Sequence, residues 1–170
     1  MTRYHEQQRN LKPAIPCLFL YDTSYIDLTA SSYLHWNNIL VKTSEFTYTV
    51  NDDTVFINSN GFYEIHVELS GKEWSGTVNN VVVSIELNGI ALAGGKSYIN
   101  TDNIDRRGTA KITYIKYLKR GDEIKIKAEP NSGQARSVEH TSRLLIKFIP
   151  IRGWNNKSGG KIIYRGGVIR

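Results

Sequence analysis

The chain has 170 residues, a formal net charge of +6 and 22% charged residues, which suits one ordered domain and excludes a disordered chain. It holds no run of 18 apolar residues, and residues 1–10 are polar, so neither a membrane-spanning helix nor a secretory leader is expected. One cysteine, Cys17, excludes an internal disulfide and, set in an apolar run, reads as a small buried hydrophobe.

Residues 1–15 are polar, broken by Pro13 and without periodicity, and read as an N-terminal arm. The run 17–21 predicts a first strand, and residues 21–32 a turn-rich loop. Tyr33, Leu34 and Trp36 on one side, and Ile39, Leu40 and Val41 on the other, flank a turn at Asn37-Asn38. Phe46, Tyr48 and Val50 alternate, Asn51-Asp52-Asp53 turns, and a short strand follows over 54–57. Asn60-Gly61 predicts a tight reversal. It opens into a strand with Tyr63, Ile65, Val67 and Leu69 on one face and Phe62, Glu64, His66 and Glu68 on the other. Residues 70–76 read as a loop carrying Trp74, a flat ring suited to stacking on a ligand.

Val81, Val83, Ile85 and Leu87 form the next inward face, closed by an Asn88-Gly89 hairpin. The Gly-, Asn- and Asp-rich segment 93–109 predicts a long loop with one short strand at 97–99. Residues 110–118 are apolar on both faces: Ile112, Tyr114 and Leu118 on one, Ile115 and Tyr117 on the other. A turn at Lys119-Arg120-Gly121-Asp122 follows, then Ile124, Ile126 and Ala128 alternating against Lys125, Lys127 and Glu129. Residues 130–141 read as a loop and 142–151 as a last strand with Leu144, Ile146 and Phe148 on one side. No window of 11 residues carries a helical period, so the expected class is an all-β antiparallel sandwich or barrel.

Taken in order, Trp36 with Asn37-Asn38, Gly61-Phe62-Tyr63, Asn88-Gly89, Leu118 with Gly121-Asp122 and Ile124, and the strand 143–149 resemble the C1q/tumour-necrosis-factor-like jelly roll. The resemblance covers residues 16–151. It implies an antiparallel jelly-roll β-sandwich of about eight to ten strands that assembles as a homotrimer. In character the chain is similar to phage and viral relatives used as head fibres or capsid decoration proteins. The two-faced apolar strand 110–118 independently calls for cover on its second face, which a closed ring of copies supplies. Tyr63, Tyr114, Tyr117 and Phe148 are the expected contributors to that interface, because tyrosine offers large contact area with a polar tip.

The sequence gives no ground for catalysis or for a cofactor. It lacks a Gly-x-Ser-x-Gly elbow, a Cys/His pair with context, and the paired-ligand spacing of a zinc site. His66 between Glu64 and Glu68 reads as a solvated polar face, not a metal site. Asp52-Asp53 and Asp102 with Asp105 read as turn chemistry, and Arg120-Gly121-Asp122 as part of a turn rather than a recognition triplet.

Residues 152–170 differ in kind. Residues 1–151 carry 17 Lys/Arg against 16 Asp/Glu, whereas 152–170 hold Arg152, Lys157, Lys161, Arg165 and Arg170 with no acid. The basic charge therefore belongs to a Gly-rich C-terminal tail, and nucleic acid is disfavoured as a partner of the body. Trp154, Lys161, Ile162, Ile163, Tyr164 and Arg165 are the expected attachment residues, because a four-residue strand patch cannot fold alone and can add to another sheet. The expectation is a non-enzymatic virion structural protein: a homotrimeric decoration or head-fibre protein fixed to a capsid or other virion protein through a terminal segment. A single-jelly-roll capsid subunit is one alternative. A module binding a host surface glycan or receptor, with Trp74 as platform, is the other. No membrane partner is expected.

Overall fold

The computed structural model describes residues 15–24, 30–73, 79–101, 107–130, 135–137 and 142–150. Among them are twelve strands and no helix: β1 (Cys17–Tyr21), β2 (Ser32–Tyr33), β3 (Asn38–Lys42), β4 (Phe46–Thr47), β5 (Val55–Ile57), β6 (Gly61–Glu73), β7 (Asn79–Leu87), β8 (Ile90–Thr101), β9 (Arg107–Leu118), β10 (Glu123–Pro130), β11 (Ala135–Ser137) and β12 (Arg143–Ile149). They form two antiparallel sheets. The first runs β3-β1-β12-β6-β9, with β11 extending the β12 side of β6; the second runs β4-β5-β10-β7-β8, with β2 also on β10.

The period-two pattern explains the sandwich. Leu18, Leu20, Tyr63, Ile65, Val67, Leu69, Ile112, Leu144 and Ile146 point inward from the first sheet. Val55, Ile57, Val81, Val83, Ile85, Ile124 and Ile126 point inward from the second, and the two sets make one buried core. Trp36 and Tyr48 close one margin of it. The Tyr48 hydroxyl accepts from the Trp36 amide at 3.0 Å and lies 2.8 Å from the Trp36 carbonyl, which ties the connection into β3 to the loop after β4. Burial pushes the Tyr48 phenol above its usual range.

Asn60-Gly61 is not a hairpin. β5 lies in the second sheet and β6 in the first, so this connection crosses the sandwich. Gly61 is required for space: a Cβ there would sit 2.3 Å from Phe148 Cε2. Asn37-Asn38 likewise links β2 of the second sheet to β3 of the first. By contrast Asn88 (φ 52°) and Gly89 (φ 78°) do form the expected hairpin between β7 and β8, both in the left-handed region.

The expected loop over 93–109 is largely strand. β8 runs to Thr101, and β9 already begins at Arg107. Its Gly94-Gly95 pair belongs to a bulge, since Ser84 pairs with Lys96 while Glu86 pairs with Ala91. Gly94 takes φ 80°, and a Cβ on Gly95 would come within 3.1 Å of Leu92 Cβ. β6 also outruns its expected end by continuing to Glu73, and β11 lies within the segment expected to be a loop, 130–141. The alternating segment 45–50 contracts to the two-residue β4.

Candidate assembly interface on the outer face of the first sheet

The residues that alternate with the core positions of β1, β12, β6 and β9 all reach the outer face of the first sheet. Strand register places them in rows. Ile149, Phe62 and Tyr117 form the first row; Cys17, Lys147, Glu64 and Ile115 the second; Val41, Phe19, Leu145, His66 and Thr113 the third; Tyr21, Arg143, Glu68 and Lys111 the fourth. The first row is apolar throughout and the third is apolar from Val41 to Leu145, whereas charged side chains hold the middle of the second and most of the fourth. Ile115 stands in solvent at the β9 margin at 60% exposure, and Leu40, skipped where the β1–β3 register shifts, is 61% exposed. Phe62 and Tyr117 meet edge to face with centroids 5.3 Å apart.

The polar residues of this face are matched to each other. Lys111 Nζ lies 3.3 Å from Glu68 Oε1, and register sets Arg143 opposite Glu68 and Lys147 opposite Glu64. His66 Nδ1 is 2.9 Å from Thr113 Oγ1. Cys17 lies on this outer face, half-buried, and not in the core as its apolar setting suggested; Leu18 and Leu20 hold the core positions of β1. Burial raises its thiol above the usual range, with the Lys147 ammonium opposing.

Of the four side chains expected at an interface, Tyr117 occupies the outer face. Tyr63 does not: it is fully buried between the sheets, edge-on to Phe46 at 5.6 Å and to Phe148 at 5.4 Å. Its hydroxyl donates to the Ser59 carbonyl at 2.8 Å, and burial, with Glu45 adding repulsion, pushes the phenol up to about 12. A side chain so enclosed has no area to offer a second subunit. Phe148 and Tyr114 are half-buried and pack on the core from inside. Phe19, Leu145 and Ile149 of this face are not among those four, although the same alternation that sends Leu18 and Leu144 inward sends Phe19 and Leu145 outward.

Trp74 and the tail residues Trp154, Lys161, Ile162, Ile163, Tyr164 and Arg165 lie outside the described residues, as does the N-terminal arm except Ile15. Among the described residues no group of three or more His, Cys, Asp or Glu is placed to hold a metal. The Arg120-Gly121-Asp122 triplet is consumed by its own turn. Asp122 Oδ2 accepts from the Lys119 amide at 2.8 Å, Asp122 Oδ1 from Asn88 Nδ2 at 3.0 Å, and Gly121 takes φ 91°. The Arg120 amide in turn donates to Asn60 Oδ1 at 2.7 Å.

No family model and no curated protein matches the sequence. Solved structures do match the fold. The crystal structure of murine APRIL at pH 5.0 aligns at TM-score 0.58 and 16% identity, over 79% of this chain and 99% of that one. The Eiger TNF of S. frugiperda aligns at TM-score 0.58 and 11% identity, over 88% and 99%. The globular domain of zebrafish complement 1qA aligns at TM-score 0.59 and 10% identity, over 81% and 99%. The chain therefore has the C1q/TNF-like jelly-roll fold. Among the described residues no helix is long and apolar enough to cross a membrane.

Proposed function

We propose that this protein is a non-catalytic jelly-roll module that closes on itself as a homotrimer, with the outer face of the first sheet as its self-contact. The carrying observation is the pair of apolar runs on that face, Ile149–Phe62–Tyr117 and Val41–Phe19–Leu145, beside charges that already oppose one another. Burying such a face removes apolar area from water and strands few charges, which is what a subunit interface requires. The C1q/TNF-like jelly roll that the sequence resembles assembles in threes, and closed threefold association covers the face on every copy. Tyr114, Tyr117 and Phe148 lie on or just inside the β9 and β12 portion of that contact.

We further propose that the trimer is a virion structural protein, decorating a capsid or forming a head fibre. In this reading the nearly neutral body projects outward. The basic tail 152–170 fixes it to a capsid protein, with Lys161, Ile162, Ile163, Tyr164 and Arg165 adding to a partner's sheet edge. Sedimentation equilibrium of the full chain should give about three times 19.3 kDa, a discrete object of about 58 kDa. Deleting residues 153–170 should leave that mass tripled per chain while abolishing recovery on purified particles. A body that sediments as a single copy at micromolar concentration would refute self-association. Tail-less trimers that still bind particles would refute the attachment role.

A further inference from the structure

We infer that residues 1–14 and 152–170 act together as one bipartite anchor at a single pole of the sandwich, and that this pole docks on an acidic protein surface; the inference rests on the particle attachment proposed above and needs no second copy. The fold brings their points of departure together. β1 begins at Cys17 and β12 ends at Ile149, and the two are antiparallel neighbours that set Cys17 opposite Lys147. The Phe148 amide donates to the Pro16 carbonyl at 2.9 Å. Residues 1–14 therefore join the body at Ile15, one strand spacing, about 5 Å, from the strand that leads to Pro150. The same pole carries the exposed Lys119 and Arg120, because Leu118 pairs with Gly61 next to the pairing of Phe62 with Ile149. The carboxylate beside them, Asp122, is already engaged by the Lys119 backbone amide and the Asn88 side chain.

The charge is distributed to match. Residues 1–14 hold Arg3, Arg9 and Lys12 against Glu6, a net +2, and residues 152–170 hold +5. Residues 15–151 keep 14 Lys/Arg against 15 Asp/Glu. More than the whole net charge of +6 thus leaves a nearly neutral body from one end, and an acidic surface is its electrostatic complement. Two tethers that start side by side raise each other's effective concentration at such a surface, whereas tethers on opposite poles cannot share it. The apolar pairs decide between protein and nucleic acid. Ile162-Ile163 and Val168-Ile169 gain nothing from phosphates, but against a protein they bury apolar area.

Surface plasmon resonance on a planar carboxylate-terminated monolayer at low salt tests the pole, with lysine acetylation read by mass spectrometry before and after docking. Removing residues 2–14 should weaken binding at least about tenfold, although it takes away a net charge of only +2. Re-inserting them between residues 103 and 104, at the opposite pole where β8 ends and β9 begins, should not restore it. On docking, Lys119 should lose reactivity, while Lys111, about 24 Å back along β9 from Leu118, keeps it. Full binding by the relocated chain, or equal protection of Lys119 and Lys111, would overturn the single-pole anchor; recovery on purified particles would then leave attachment by the tail standing. A chain that docks through Lys119 on the monolayer but is not recovered on particles would overturn the attachment reading instead. Ile162→Ser with Ile163→Ser should lower recovery on particles by about tenfold or more. Unchanged recovery in that variant would overturn the protein partner in favour of charge alone.

Discussion

The two outer faces of this sandwich are built by the same alternation and differ in chemistry. On the second sheet the outward positions around β10 form a polar network, with Phe56 and Tyr98 exposed beside it. Asp53 bonds Lys125 at 3.1 Å, the Lys125 ammonium lies 4.9 Å over the Tyr33 ring, and the Tyr33 hydroxyl donates to Glu86 Oε2 at 2.8 Å. Lys127 then reaches Glu86 at 4.0 Å and Glu129 at 2.6 Å. Even Glu86, at 6% exposure, keeps its hydrogen-bond donor. On the first sheet the corresponding positions mix Phe19, Phe62, Leu145, Ile115, Tyr117 and Ile149 with the paired charges Glu64, Glu68, Lys111, Arg143 and Lys147. One face is mainly polar; the other carries its larger share of apolar side chains in runs. Both are antiparallel sheet, so it is side-chain chemistry, not backbone, that separates the two faces.

The largest expected effect breaks that asymmetry directly. Ile115→Lys sets a cation opposite Glu64 within the lone subunit, which leaves its fold intact, but it forces a charge into the self-contact. Association should weaken by at least about 100-fold, the scale of burying a poorly matched charge. Tyr98→Lys on the outer face of the second sheet, at a residue equally open at 59% exposure, should leave the trimer untouched. Equal loss in both variants would dissolve the distinction between the faces. Next in size is Gly61→Ala, which acts beneath the contact face. Its Cβ would displace the Phe148 ring that packs edge-on against Tyr63. A drop of about 1–3 kcal/mol in urea unfolding follows from such overpacking, and an unchanged midpoint would show that the ring moves freely. Smaller again is Tyr33→Phe. It removes the donor to Glu86 and should lower the unfolding midpoint with no change in sedimentation.

Much of this was readable from the chain, because a half-buried strand writes its orientation in every second residue. The inward faces at Tyr63–Ile65–Val67–Leu69 and Ile124–Ile126–Ala128 match the buried positions, as does the split of Ile112 and Leu118 from Ile115 and Tyr117. The turn at Asn88-Gly89 was equally plain, since its geometry demands the left-handed region. Connections between sheets were not. Asn60-Gly61 carries the chemistry of a hairpin, yet its glycine answers a long-range contact with Phe148 that no local pattern encodes. β8 was lost for a related reason: Gly94-Gly95 reads as loop, while in space it is a bulge within a long strand. The candidate contact was half legible. The bias towards tyrosine pointed inward to Tyr63, whereas the outer face is carried by residues such as Phe19 and Leu145 whose apolar character alone does not tell in from out. Their phase relative to Leu18 and Leu144 does.

The finest prediction concerns the acid response of the second-sheet network on its own. In the second-sheet network a hydrogen bond from the Thr54 hydroxyl, aided by Lys125, holds the Asp53 carboxyl below its usual range, and the bond from Lys127 does the same for Glu129. Carboxylates depressed in the folded state add stability that is complete above their unfolded values, near 4, and is lost as pH falls through the lower folded values. Both groups are more than a third exposed, Asp53 at 36% and Glu129 at 41%, so solvent screening keeps the loss small. The single-copy variant Ile115→Lys isolates the effect from association. Its urea midpoint should stay level from pH 7 to about 4.5 and decline only below that, with a shallower decline in the double variant carrying Asp53→Asn. A midpoint that already falls between pH 7 and 5.5 in the single copy would show that Asp53 and Glu129 do not set the fold's response to acid.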